Sequence, residues 1–252
     1  MYTRYESEEL DFLLGADFEA SLSEVADGSF FSALKHDTNI FFLRHGQSEG
    51  NARMTYQGRL DYPLDETGLA QAHDAARWFS DKAVDVLVSS PQKRASMTAQ
   101  IIARECGLSS VDFQPSLVEV DVGIFSGVDV ETAKTTHPEI FQEFYHRSWD
   151  AVPGAESSKS MYSRAIASWK HLRDCAEEGA RTIVCVTHGG LIQWLVRATL
   201  GVHTWLPLIP SSNCGISHYV IQPIAEKKPA FVQWAMINFK APSSRKEVKP
   251  VF

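Results

Sequence analysis

Two apolar runs of this chain end in a histidine flanked by residues suited to anion chemistry. Asn39–Leu43 (NIFFL) runs into Arg44-His45-Gly46, and Thr182–Val186 (TIVCV) runs into Thr187-His188-Gly189-Gly190. A third run, Val84–Val88, ends in Ser89-Ser90-Pro91, with Arg94 one helical turn further on. A phosphoryl group in transfer spreads negative charge over its equatorial oxygens and needs cationic donors around them and an in-line nucleophile. Arginine supplies planar, permanently charged forks matched to phosphate oxygens. A neutral histidine can attack phosphorus if its other ring nitrogen donates to a carbonyl, which keeps the lone pair on the attacking nitrogen. A glycine beside it lets the backbone approach closely. The leaving oxygen needs a proton, and a carboxylic acid of raised pKa is the usual source.

The surrounding elements must bring these groups together. Short, wholly apolar runs read as strands buried on both faces. Thr67–Ser80 puts Leu69, Ala72, Ala76 and Phe79 on one helical face, with Thr67 as the expected cap. Pro91 reads as the first residue of a helix that runs to about Glu105 and is ended by Gly107. Asp129–Trp149 reads as one or two helices broken near His137-Pro138, and Pro153-Gly154 marks a turn. Glu156–Glu178 carries a long helical pattern through Met161, Ile166, Trp169 and Leu172. Leu191–Leu200 reads as a helix, and Ile216–Ile221 and Phe231–Ile237 as strands. Strands alternating with helices imply an α/β fold, a three-layer α/β/α arrangement around a mostly parallel central sheet. Ligands bind beyond the carboxyl ends of such strands. His45, His188, Arg44 and Arg94 are therefore expected at one edge of one sheet.

Composition narrows the class. The chain has 252 residues, 44% hydrophobic and 22% charged. Those values exclude collagen-like, coiled-coil and wholly disordered chains, and the length suffices for a sizeable core. The net charge of -7 disfavours a basic nucleic-acid binder. No apolar stretch is long enough to span a membrane, and the start lacks the basic-then-apolar pattern of a secretory leader. Cys106, Cys175, Cys185 and Cys214 match neither a redox pair nor a zinc site, and read as reduced thiols of a cytoplasmic protein. The charge is uneven: residues 1–38 hold Arg4 and Lys35 against nine acids, and the remainder is neutral. The expected organisation is an acidic extension over 1–38 (short helices or a tail), a main domain over 39–240 and a loose tail over 241–252.

The motifs have an order as well as a chemistry. Arg44-His45-Gly46-Gln47-Ser48-Glu49-Gly50-Asn51 is followed by Gln57-Gly58-Arg59-Leu60-Asp61-Tyr62-Pro63-Leu64, with Gly68 and Gln71-Ala72 beyond. Ser89-Ser90-Pro91-Gln92-Lys93-Arg94-Ala95 and Thr98-Ala99 come next, then Leu117-Val118-Glu119 with Gly123, then Thr187-His188-Gly189-Gly190, and Asn213 before a strand. Over roughly residues 40–222 this resembles the histidine phosphatase superfamily, in its phosphoglycerate mutase-like branch (branch 1). The resemblance implies that His45 is the nucleophile that becomes phosphorylated. It implies that Arg44 and Arg94 hold the phosphoryl oxygens, with Asn51 and His188 adding donors. Glu119 would protonate the leaving alcohol and then activate the water that hydrolyses phosphohistidine. Gln57 and Gly58 would lie on the substrate-facing loop, and the Gly189 amide would add a donor. No metal or other cofactor is implied, because the arginines supply the positive charge.

Other readings stand beside these. Asp121, Asp129 and Glu131 are alternative acids near Glu119, and a turn or cap residue is the lesser alternative for Asn51. His36, His73, His137, His146, His171, His203 and His218 lack a motif and read as surface or core histidines. Trp149, Trp169, Trp194, Trp205 and Trp234 read as core or rim aromatics. Ser126 stands where the family commonly has glutamate, and Gly154-Ala155-Glu156-Ser157 departs slightly from its Gly-Gly-Glu-Ser. Mutases of the family carry a longer insertion between the acid and the second histidine, and an arginine directly after the acid. Here Glu119 and His188 are 69 residues apart and Val120 follows the acid. The expectation is therefore a phosphatase acting on a small phosphorylated molecule such as a sugar phosphate. A phosphoglycerate mutase-type isomerase and a non-catalytic phosphate-binding regulator are the alternatives.

Overall fold

The computed structural model describes residues 2–6, 24–202 and 209–243. Most of the proposed helices of the acidic extension, together with His203, Trp205 and the end of the tail, lie outside the described residues, as does the His146 side chain. Among the described residues the strands are β1 (Thr38–Arg44), β2 (Val86–Ser89), β3 (Asp112–Phe113), β4 (Thr182–Thr187), β5 (Gly215–Gln222) and β6 (Phe231–Lys240). They form one sheet in the order β3-β2-β4-β1-β5-β6. The β1–β4, β2–β4 and β2–β3 pairs are parallel, whereas β1–β5 and β5–β6 are antiparallel.

The helices are α1 (Glu24–Asp27), α2 (Glu49–Ala52), α3 (Glu66–Ser80), α4 (Lys93–Glu105), α5 (Val130–Thr136), α6 (Pro138–Arg147), α7 (Ser158–Glu177) and α8 (Gly189–Leu200). Alternate residues of each central strand feed opposite layers, as the period of two requires. Ile40 and Phe42 of β1 and Ile183 and Cys185 of β4 enter a core with Trp169 and Leu172 of α7 and Leu191 and Leu195 of α8. Phe41, Leu43, Val184 and Val186 enter the other core, with Ala72 and Phe79 of α3 and Ala99 and Ile102 of α4. The sheet is thus covered on both faces, and the three-layer expectation holds.

Local chemistry corrects some boundaries. Asp65, not Thr67, caps α3, and its carboxylate accepts the Gly68 N–H at 2.7 Å. A carboxylate suits the positive end of a helix. Pro91 precedes α4 rather than opening it, and Gln92 holds the cap position. The break at His137-Pro138 separates α5 from α6 as expected. Strand β3 went unread: two residues display no period.

The described part of the N-terminal region lies on the body. Val25, Phe31 and Leu34 are buried in the α7–α8 core. Residues 2–6 run antiparallel to the loop around Leu60. Asp61 N–H donates to Thr3 O and Tyr5 N–H to Arg59 O, each at 2.9 Å.

Candidate active site

The parallel strands deliver their carboxyl ends side by side. In the register, Arg44 lies opposite Thr187 and Ser89 opposite Val186. The residues that follow, His45, His188 and Ser90, therefore meet above one edge. The His45 and His188 ring centroids are 5.1 Å apart. A cleft of about 390 Å³ opens there. It is lined by Arg44, His45, Arg94, Asn51, Gln57, Gly58, Glu119, Gly189 and Gly190. Of the residues expected at the site, all but His188 line the cleft, and His188 packs beside His45.

His45 is almost wholly buried. Its Nδ1 lies 2.6 Å from Gly46 O, so Nδ1 carries the proton and Nε2 keeps its lone pair. Burial, and then the charges of Arg94 and Arg44, hold its pKa well below the ordinary histidine value. His45 is thus neutral at pH 7. Gly46 cannot carry a side chain: a β-carbon would stand 2.5 Å from the backbone oxygen of Gly68. His188 is fully buried, and its Nε2 lies 2.8 Å from the Ser90 hydroxyl. Its Nδ1 is buried with no hydrogen-bond partner. Burial and the arginines depress its pKa as well.

Both arginines are anchored by carbonyls. Arg94 donates from Nη1 to Leu60 O and from Nη2 to Gly58 O, each at 2.8 Å. Arg44 donates from Nη1 to Ser211 O at 2.5 Å. Burial pushes the Arg94 guanidinium down to about 10, which leaves it charged at neutral pH. The Nε atoms of both arginines are buried without a partner. Both guanidinium side chains also line the cleft beside the neutral His45, where their permanent charge suits an anion.

Asn51 serves two ends. It completes a capping box with Ser48 at the start of α2. Its Oδ1 also accepts from Asn213 Nδ2 at 3.1 Å. The bonds to Asn51 thus collect on its oxygen, and the residue also lines the cleft. The cap is seen directly, and the cleft lining is where the residue's expected phosphate contact would be made. Gln57 accepts from the Ser48 hydroxyl at 2.7 Å.

Among the candidate acids, Asp121 is taken up by Arg4 and Arg59. Asp129 caps α5 through Thr132. Neither these two nor Glu131 lines the cleft, and Glu119 does. Its Oε1 accepts the Val120 N–H at 2.9 Å, and its Oε2 accepts the Gly190 N–H at 3.2 Å.

Three supporting residues escaped the sequence reading. Gln92 is fully buried; its Oε1 accepts the Glu119 N–H at 2.8 Å and its Nε2 donates to Gly58 O at 3.3 Å. It ties the acid to the loop that anchors Arg94. Arg164 is fully buried and pairs bidentately with Glu156, at 2.8 and 2.7 Å. Its Nη1 also donates to Ser116 O and Val118 O, each at 2.8 Å, just before Glu119. Burial pushes the Glu156 carboxyl up, but Arg164 and Arg59 outweigh it and hold its pKa below the ordinary value. Gln92 and Glu156 both sat in recognised motifs, which was the available signal.

The histidines without a motif have other work. His171 contacts Asp112 at 2.6 Å, and His218 contacts Asn39 at 2.9 Å and stacks on Phe41.

A neutral buried histidine between two anchored arginines, with a carboxylate in the same lining, is the constellation that the motifs implied. The profile of the histidine phosphatase superfamily (branch 1) matches residues 40–236. The chain belongs to that superfamily. It is 36% identical to phosphoglycerate mutase-like protein 4 of Arabidopsis thaliana, over 62% of this chain and 68% of the relative. It is 32% identical to phosphoserine phosphatase 1 of Hydrogenobacter thermophilus, over 75% of this chain and 88% of the relative. The structure of a mycobacterial glucosyl-3-phosphoglycerate phosphatase in complex with VO3 superposes with a TM-score of 0.69 and 26% identity. That match covers 80% of this chain and 99% of the other. Superfamily relatives are phosphatases or mutases, so the chain is an enzyme by kinship. No helix among the described residues is long and apolar enough to cross a membrane.

Proposed function

We propose that this protein is a phosphomonoesterase that works through a phosphohistidine on His45. One observation carries the reading: Gly46 O holds Nδ1 of a neutral His45 at 2.6 Å, so Nε2 is left as the attacking atom in a cleft lined by Arg44 and Arg94. Nε2 attacks phosphorus, and the bond from phosphorus to the leaving oxygen breaks. Glu119 gives that oxygen its proton. Water then attacks the phosphohistidine and passes a proton to Glu119, and the P–N bond breaks to release inorganic phosphate. Arg44 and Arg94 hold the equatorial oxygens throughout, where charge stabilisation is worth most. His188, held at Nε2 by the Ser90 hydroxyl at 2.8 Å and packed beside His45, is taken to add a further donor to the phosphoryl group. Asn51, Gln57, Gly58 and the Gly189 amide complete the binding surface. The relatives named for phosphoserine and glucosyl-3-phosphoglycerate hydrolysis support small phosphorylated substrates. Cytoplasmic residence and the boundary between the acidic extension and the main domain at residues 38 and 39 belong to the same proposal.

The test is phosphate release from a panel of phosphomonoesters with EDTA present, together with acid-quench labelling of the enzyme. The parent is expected to release phosphate and to trap an acid-labile phosphoenzyme, and folded His45→Ala to do neither. Equal release by parent and variant removes His45 as nucleophile.

A further inference from the structure

Resting on the phosphatase reading, the cleft also selects what leaves. Among the described lining residues the cations are Arg44 and Arg94, and both line the cleft with His45. A phosphomonoester dianion needs both of them. A second anionic group on the leaving side would find no cation among those residues.

The rest of the lining has another character. It includes Tyr56, Phe144, Trp149 and Val122, with the uncharged Thr55 and Gln193 among them. Ring centroids are 4.5 Å apart for Phe144–Trp149, 5.6 Å for Tyr56–Trp149 and 6.3 Å for Tyr56–Phe144. Phe125 backs Tyr56 at 5.6 Å, so the cluster is fixed from behind. Trp149 is 9% exposed and Val122 3%, whereas Phe144 is half-buried. A ring or flat apolar group set against such a wall gains from burial and from offset or edge contacts. A carboxylate there would lose hydration with no further cation among the described lining residues to compensate.

We propose that the preferred substrate is a phosphomonoester whose leaving alcohol is uncharged and carries an aromatic or similarly flat apolar group. Phosphorylated carboxylates such as phosphoserine and phosphoglycerate are then poor substrates.

The test compares benzyl phosphate with O-phosphoserine and 3-phosphoglycerate. All three release aliphatic alcohols, so a phenol's better departure does not bias the ratio. We expect kcat/KM for benzyl phosphate to exceed both others by about tenfold or more. Phe144→Ala should narrow that ratio through KM, and Phe144→Arg should move it towards 3-phosphoglycerate. Phe144 is half-buried, so both variants are chosen at a site that tolerates change better than Trp149. Binding of the same three esters to the His45→Ala protein, followed by calorimetry, reads selectivity without turnover. Turnover that is equal on all three, or that favours the carboxylates, overturns this inference and leaves the phosphatase reading intact. Selective binding of benzyl phosphate with no phosphate release by the parent overturns the phosphatase reading and upholds the selectivity.

Discussion

Glu119 rests directly against Gly190. The Gly190 N–H donates to Glu119 Oε2 at 3.2 Å, and a β-carbon at position 190 would stand 2.4 Å from Oε1. The closest obstruction is the far end of a flexible side chain, and the buried Val120 Cγ1 at 3.0 Å must give by a few tenths of an ångström, so the fold absorbs a methyl group there mainly by moving the carboxylate. The acid cannot move without losing its aim. Gly190→Ala should therefore keep its melting temperature, since alanine favours the helix, and lose ten- to about a hundredfold in kcat. Steady-state kinetics beside a thermal melt check this. A variant as fast as the parent would show that the aim of Glu119 does not matter.

Acid should destabilise the fold through the two histidines. In the unfolded chain each takes a proton as pH falls through about 6.5. In the folded protein burial and the arginines hold both pKa values well below that. Between the folded and unfolded values the unfolded state binds more protons, so stability falls as pH falls. Stability is full above about pH 6.5 and declines by about 1.4 kcal/mol per pH unit for each histidine. Urea denaturation at pH 7.5, 6.5 and 5.5 should show this decline, and His45→Asn should remove one histidine's share. An unchanged slope in His45→Asn would refute the burial account.

The Arg164–Glu156 pair should be costly to break on one side. Their side chains are 0% and 2% exposed. Removing Arg164 leaves the buried Glu156 with Arg59 at 3.3 Å as its remaining cation, so the cost approaches but does not exceed the roughly 3–5 kcal/mol of a fully stranded buried charge. Arg164→Met alone should therefore cost close to that much and also loosen the Ser116–Val118 carbonyls. The double variant Arg164→Met with Glu156→Leu should recover part of the loss. Denaturant midpoints decide the matter, and simple additivity of the two changes would argue against a coupled pair.

The segment of residues 2–6 should act on phosphate affinity. It pairs with the loop whose Gly58 and Leu60 carbonyls anchor Arg94. Deleting residues 1–6 removes the bonds to Arg59 and Asp61 and lets that loop move. The expected result is a several-fold weaker inhibition by inorganic phosphate, with a smaller change in kcat. The Arg4–Asp121 pair is partly exposed, so Arg4→Ala alone should change stability by less than about 1 kcal/mol. Unaltered phosphate inhibition after the deletion would show that Arg94 holds its place unaided.

What could be read from sequence followed the strength of local signals. β1 and β4 are unbroken apolar runs that end in charged chemistry, and they placed His45, His188, Arg44 and Thr187 correctly at one edge. Glu119 was harder, because Asp121 shares its neighbourhood and only packing separates an acid on the cleft from one bound to Arg4 and Arg59. Arg164 was invisible, since an arginine on a long helix reads as solvent-facing until its partner across the fold is known. The aromatic wall was missed for a similar reason. Phe144 and Trp149 lie in a stretch without motifs, and Tyr56 meets them only in the folded chain. The antiparallel pairing of β5 and β6 also needed tertiary information, because a strand's direction leaves no mark on its own pattern.

The position of β1 has a consequence for how this protein is made. β1 stands at the centre of the sheet, between β4 and β5, yet it leaves the ribosome long before either. During synthesis of the intervening chain, TNIFFLR therefore has two open edges and an apolar side chain on each face. Such a segment is a ready template for wrong pairing. Chaperone capture, or pairing with a neighbouring nascent chain, competes with folding throughout that interval. The functional cleft closes only at the end of it, so premature termination anywhere before β4 leaves a sticky fragment without a site.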